Sequence, residues 1–302
     1  MRIAALATGA GVPAHDFAGR IAEVHARAAL ITLRDGWCIT LLGSELGRQP
    51  RGISLDLPEG ISLRQFLSPN AELAKRGGVI RFAESTLAID LRGAPNWRSG
   101  IATLAFDCRR PAVAKAYRTA WLALERDGRS DGLRDTADTK LDELSKAIRG
   151  RDTAAAARAM AALIGLGNGT TPAGDDYLVG ICLALWSCSA TKAFAAALCP
   201  KLVALAARSS DLSGLYLQEA ARGEVSERLA EVAVGICAGG SDDVVENAII
   251  TALSVGHSSG AAGIFGLLNG YAACAETPFH ASADSVLAPA SETAVRPIAT
   301  PK

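Results

Sequence analysis

The sequence has no C-x-x-C pair and no H-E-x-x-H, and its four histidines (His15, His25, His257, His280) stand at no other metal-ligand spacing. That pattern excludes the common zinc sites. Net charge is absent as well: 31 basic residues balance 31 acidic ones, and no Lys/Arg cluster is interleaved with aromatics. No electrostatic footprint for nucleic acid follows. Long apolar runs are also missing. "YLVGICLALWSCSA" is too short to span a bilayer, and "NAIITALSVGHSSGAAGIFGLLNGYAACA" is broken by His-Ser-Ser and glycines, so both read as helices buried in a soluble core. Seven scattered cysteines, an odd number, in a chain this long point to free thiols in a reducing cytoplasm rather than to a disulfide framework. The start, "MRIAALATGAGVPAHDF", is interrupted by Thr8 and Gly9 and reads as a first strand rather than a signal peptide.

What is present divides into two patterns, giving an α+β fold with a β-rich domain at 1–110 and a larger all-helical domain at 111–275. The runs "AALITLRDGWCITLLG", "GISLDLPEGISL" and "GGVIRFAESTLAIDLRG" are rich in β-formers and separated by turn residues, with Asp35-Gly36 as a hairpin signal. "GAPNWRSG" reads as a loop and "IATLAFD" as a last strand. From Pro111 the spacing becomes helical. Helices are expected over 111–128, 138–148, 152–163, 172–187, 191–208, 211–221, 225–237, 242–254 and 261–273, with short connections suited to a packed bundle. The Ala/Ser/Thr/Pro-rich tail, 276–302, has no periodicity and is expected to be extended or partly disordered.

The chemistry-bearing stretch is "GLGNGTTPAGDDYLVG", 165–180. Gly165, Gly167 and Gly169 permit positive φ, Thr171 suits an N-cap and Pro172 the first helical position, so a loop is delivered into a helix N-terminus. Such an end is suited to phosphate or carboxylate. It is no P-loop, for the lysine is missing, and no βαβ unit surrounds it. Asp175 and Asp176 diverge by roughly 100° on a helix and cannot serve one point alike. One can hold loop or substrate amides while the other meets a second substrate group or a divalent cation; equally, both can complement the helix dipole.

A second Gly-rich passage, "VGHSSGAAGIFGLLNGY" (255–271), again places hydroxyls ahead of an apolar helix. Gly256 to Gly260 match G-x-S-x-G, with Ser258 as a nucleophile of a serine hydrolase; a helical rather than strand context and the sparse downstream His and acid count against it. His257 can orient a carbonyl or move a proton, or it can satisfy loop carbonyls. Ser209, Ser210 and Ser213 surround a helix start at Asp211, where capping is favoured over ligand contact.

In order and spacing, "GLGNGTTPAGDDYLVG", "RSSDLSGLYLQEAARGE" and "VGHSSGAAGIFGLLNG" resemble the bacterial AllH-type subunit family of oxamate carbamoyltransferase. Gly167, Gly169, Thr171, Pro172, Gly174, Asp175 and Asp176 fit its loop, while Ala261 and Ala262 stand where the family has an acidic residue. The resemblance implies a role in allantoin breakdown, interconverting oxalurate plus phosphate with oxamate plus carbamoyl phosphate, within a hetero-oligomer of other carbamoyltransferase subunits. With the residue reading, it points to Asp175, Asp176, His257 and Ser258 as catalytic. Gly167, Asn168, Gly169, Thr170, Thr171, Gly174, Ser259 and Gly260 are then the binders of a small anionic substrate. No resident cofactor is implied. The rival reading is a non-catalytic anion-binding or assembly subunit.

Overall fold

The computed structural model describes residues 1–128, 132–254 and 258–275. The first hundred residues form strands β1 (Arg2–Gly9), β2 (Phe17–Val24), β3 (Ala28–Leu33), β4 (Cys38–Gly43), β5 (Gly52–Leu55), β6 (Glu72–Arg76), β7 (Val79–Phe82), β8 (Ala88–Asp90) and β9 (Asn96–Trp97). They hydrogen-bond in the order β5-β4-β3-β2-β6-β7-β8-β1-β9, and an antiparallel β1–β5 pairing closes the first eight into a barrel. Ile21, Ile31, Ile39, Ile53, Leu55, Ile80 and Ile89 fill it and are almost fully buried. β-Branched side chains suit the half-buried pleat, and alternation puts them on the inner face. The β3–β4 hairpin turns at Asp35-Gly36, where Gly36 has φ +82° and the Asp35 carboxylate accepts the Trp37 N–H at 2.9 Å.

Two segments differ from the sequence expectation. Within "GAPNWRSG", Asn96–Trp97 is strand rather than loop, because β1 continues past its pairing with β8 and the far end, Thr8 and Gly9, takes Asn96 and Trp97. "IATLAFD" is no strand. Ile101–Thr103 is a single 3-10 turn, and Ile101 and Phe106 are buried with the helices, Phe106 stacking on Tyr271 at 3.9 Å. Burial of these apolar side chains in the bundle overrides their local β pattern.

The helices are α1 (Pro111–Asp127), α2 (Arg134–Arg149), α3 (Thr153–Leu163), α4 (Ala173–Ser187), α5 (Lys192–Ala206), α6 (Asp211–Ala221), α7 (Glu227–Ala238), α8 (Asp242–Leu253) and α9 (Ser259–Cys274). By length and composition alone the stretch Ser189–Ala206 could cross a bilayer, but Phe194, Ala195, Leu198, Cys199 and Leu202 are buried against the bundle. α4 and α9 are apolar nearly all round and form the bundle's centre, as such helices must. They cross backbone to backbone. A Cβ at Gly180 would lie 2.1 Å from the Gly263 carbonyl oxygen, and one at Gly266 would lie 2.0 Å from that of Tyr177. This contact sets the N-terminus of α9 beside that of α4. The 276–302 tail, His257 and His280 lie outside the described residues.

Candidate functional site

The Gly-rich loop leaves α3 and enters α4 with Gly165, Gly167 and Gly169 all at positive φ. A side chain at Gly167 would also strike the Ala173 amide, 2.8 Å from its Cβ. The cap differs from expectation: Pro172 is the N-cap, and Thr171 makes no capping bond. Its hydroxyl instead meets the Ser259 hydroxyl at 2.7 Å, joining the residue before the α4 N-cap to the first residue of α9. Once the α4–α9 crossing brings these ends together, two hydroxyls satisfy each other there.

Asp175 and Asp176 part company as the helical geometry requires. Asp175 is fully buried and reaches back: Oδ1 accepts the Gly165 N–H at 2.8 Å, and Oδ2 accepts the Ser213 hydroxyl at 2.8 Å and the Ser209 hydroxyl. Three donors converge on this carboxylate, which ties the loop to the start of α6. Ser210 is the N-cap of α6, accepting the Ser213 N–H, and it also donates to the Thr170 carbonyl at 2.5 Å. Asp175→Ala leaves the Gly165 N–H, the Ser209 hydroxyl and the buried Ser213 hydroxyl without this acceptor, and is expected to lower stability by about 3 kcal/mol in chemical denaturation, with Asp175→Asn milder.

Asp176 faces the other way, into a cavity of about 240 Å³ between the barrel and the helices. It is 8% exposed, and its Oδ2 has no hydrogen-bond partner. Burial pushes its carboxyl up to about 7; the Ser259 hydroxyl pulls it down, the Asp175 charge pushes it up, and the Thr171 hydroxyl pulls it down. Tyr216 on α6 lines the same cavity, its phenol raised by burial and by the Asp176 charge. From α7 come Ser226 and Arg228. The Arg228 Nε is buried and unpartnered, while its outer nitrogens lie 3.4 Å from Glu231 and from the Glu45 carbonyl. The barrel contributes Leu46, Gln49 and Pro50. A single cavity therefore holds an unpaired carboxyl oxygen and an unpaired guanidinium N–H. Groups so buried normally find partners, so the pair marks a place for a ligand carrying both a donor and an acceptor.

Three arginine–glutamate pairs fasten the barrel along this cavity, and every arginine comes from the barrel side. Arg51 binds Glu219 through Nε at 2.7 Å, both side chains being under a tenth exposed, and lies 3.5 Å over the Trp37 ring. Burial lowers the Arg51 pKa and the Glu219 charge raises it again. Arg48 pairs with Glu227, and Arg98 and Ser99 with Glu224. A second cavity, of about 410 Å³, lies at the hairpin tip against α5 and α6; among the described residues no unpartnered buried polar atom lines it.

Of the residues singled out from the sequence, Asp176, Thr170, Thr171, Ser259 and Gly260 line the first cavity. Gly167, Asn168, Gly169, Gly174, Asp175 and Ser258 do not. Gly174 lies against the Leu163 carbonyl, and Ser258 caps α9 only through its backbone carbonyl, which accepts the Ala262 N–H. Among the described residues no group of three or more His, Cys, Asp or Glu is placed to hold a metal ion. Arg228, Tyr216, Glu219 and Gln49 escaped the sequence reading. Arg228 did carry a signal: it lies in the first turn of a helix, where the dipole disfavours a cation.

Residues 163–271 match the family model described as oxamate carbamoyltransferase subunit AllH. No curated protein and no solved structure matches the chain. The AllH match runs from the end of α3 into α9 and so includes the Gly-rich loop, both aspartates, Tyr216, Arg228 and Ser259. The barrel wall of the cavity lies outside it. The family's name is that of a subunit, which implies a complex of several chains.

Proposed function

We propose that this chain is the subunit of an oxamate carbamoyltransferase that holds the oxamate half of the reaction, binding oxamate or the oxamate end of oxalurate between Asp176 and Arg228. One observation carries the reading: the Asp176 Oδ2 and the Arg228 Nε are both buried, both unpartnered and both in one cavity. Oxamate joins an amide to a carboxylate. The amide N–H suits the Asp176 carboxylate, and the carboxylate suits the Arg228 N–H, with the N-termini of α4, α7 and α9 adding favourable dipoles. A cavity of this size lies below the range used by drug-sized ligands and fits a small metabolite.

In oxalurate synthesis the amide nitrogen of oxamate attacks the carbamoyl carbon of carbamoyl phosphate. A C–N bond forms, the C–O bond to phosphate breaks, and the nitrogen gives up one proton. Ionised Asp176 is suited to accept it, since its carboxyl is raised to about 7 and a general base works best near the ambient pH. In the reverse direction a phosphate oxygen attacks the carbamoyl carbon and protonated Asp176 returns the proton to the departing nitrogen. Among the described residues the cavity's charged lining is Asp176, Glu219, Glu224 and Arg228, and because Glu219 is paired with Arg51 and Glu224 with Arg98, Asp176 and Arg228 are left to meet a ligand. One cation beside one carboxylate suits the monoanionic oxamate better than a phosphoryl dianion, which supports the delivery of carbamoyl phosphate by another subunit.

The test is a thermal-shift series with oxamate, oxalurate, carbamoyl phosphate and phosphate. At a hundredfold excess over the dissociation constant, a ligand of the folded state adds about 2.7 kcal/mol, a rise of several degrees. Oxamate and oxalurate are expected to give it and phosphate is not. Arg228→Ala should weaken oxamate at least tenfold, about 1.4 kcal/mol. No response to oxamate or oxalurate would reject the proposal in favour of an assembly subunit.

A further inference from the structure

The family match leaves out the barrel, yet the barrel supplies one wall of the cavity, and four consecutive residues there are held in an unusual way. Arg48 and Arg51 are the ends of Arg48-Gln49-Pro50-Arg51. Arg48 donates its backbone N–H and its Nε to Glu227, each at 2.9 Å, and accepts the Glu227 N–H on its own carbonyl at 2.9 Å. Arg51 is bound to Glu219, a residue of α6 that also receives Arg222 at 2.7 Å. The two residues between these ends, Gln49 and Pro50, line the cavity. The segment is thus fixed at both ends to α6 and α7, the helices that carry Tyr216 and Arg228. The same loop meets the arginine: Arg228 reaches the Glu45 carbonyl, a Cβ at Gly47 would lie 3.0 Å from its side chain, and Gln49, two residues on, lines the same cavity. The Gln49 carboxamide makes no hydrogen bond to another described residue, although it offers two donors and an acceptor.

We infer that Gln49 is a specificity-determining residue of this cavity, its carboxamide donating to the ligand's carboxylate beside Arg228 while the two flanking arginine–glutamate pairs hold it in place. This rests on the oxamate reading above, and adds to it that the barrel, not only the helical segment, chooses the ligand. A fixed uncharged donor can tell a carboxylate from an amide only by which hydrogen-bonding atoms it must match; replaced by an acid, it repels the first and accepts from the second.

The experiment uses the full chain, titrated calorimetrically with oxamate and with oxamide, the same frame with a second amide in place of the carboxylate. Wild type is expected to prefer oxamate. Gln49→Glu should move the oxamate-to-oxamide affinity ratio at least tenfold toward oxamide, and Gln49→Ala should weaken oxamate without favouring oxamide in the same way. A structural role would change both ligands together and leave the ratio unmoved. If wild type binds oxamate and the Gln49→Glu ratio stays within twofold of wild type, this inference alone is overturned. If wild type binds neither compound, the oxamate reading falls and this inference with it. Unfolding of Gln49→Glu, seen by circular dichroism, would transfer the ratio test to Gln49→Met, which keeps length and loses the donor and is expected to lower the oxamate preference about tenfold.

Discussion

Gly266→Ala is expected to abolish stable folding of the helical domain, a loss of more than about 4 kcal/mol that approaches the whole stability of an ordinary domain. The added methyl would stand 2.0 Å from the Tyr177 carbonyl oxygen, and a backbone atom in the middle of a buried helix cannot swing aside as a flexible side chain can. Relief requires α4 and α9 to separate, and that opens the buried contacts of Gly180, Gly263 and Gly270 along the same seam. The control is Gly235 in α7, where a Cβ would meet only Val245 atoms at 3.8 Å or beyond. Gly235→Ala should be neutral or stabilising by up to about 1 kcal/mol through helix propensity. Melting curves and soluble yield of the two variants, compared side by side, decide the matter. Equal stability would show that the crossing is not the bundle's keystone contact.

The second large effect is expected at Asp176, and it has two opposite signs. A carboxyl raised from the ordinary 3.8 to about 7 is disfavoured in its charged form by the folded protein. Below about pH 4 the group is protonated in both folded and unfolded chains and costs nothing. As pH rises toward 7 the unfolded chain releases its proton while the folded one retains it, so stability falls across that window and levels off above it. Asp176→Asn removes the penalty. The unliganded variant should be more stable than wild type at pH 8, by an amount on the order of 4 kcal/mol, with the difference vanishing near pH 4. Oxamate binding should move in the reverse direction: the ionised carboxylate accepts the amide N–H, so wild-type affinity rises through pH 7, whereas the asparagine variant binds at least tenfold more weakly at pH 8 and with a flat profile. Denaturation and titration at pH 5, 6, 7 and 8 check both arms. A variant that is less stable than wild type at pH 8 would show that Asp176 is held ionised by partners, and would remove it from the proton-transfer role.

Sequence and structure agree most closely where local signals decide. The α6 boundaries, Asp211–Ala221, follow from a serine N-cap and an apolar face, and the β3–β4 hairpin follows from Asp35-Gly36. The 100° rule already required Asp175 and Asp176 to differ, but which one faces a ligand depends on Ser209 and Ser213, more than thirty residues away, arriving to occupy Asp175. Local pattern also misled. Thr171-Pro172 reads as a cap and a first turn, yet Ser259, 88 residues on, takes the threonine hydroxyl. The glycines of α9 read as those of a loop-fed helix, and their cause is the close approach of α4, which no single segment contains. The cavity's barrel wall was out of reach for the same reason. Arg51 and Glu219 lie 168 positions apart, and neither has a neighbour in sequence that announces the other.

The closed barrel bears on how this chain can meet another. With β1 paired to β5 and β8, the two-residue β9 is the one strand, among the described residues, bonded along one side only. Unsatisfied strand edges are where sheets recruit foreign strands, and this barrel has almost none to offer. A neighbouring subunit that contacts it therefore meets side chains rather than backbone. Affinity there is set residue by residue at the surface, so single surface substitutions can detach a neighbour without touching the hydrogen-bond ladder that keeps the barrel closed.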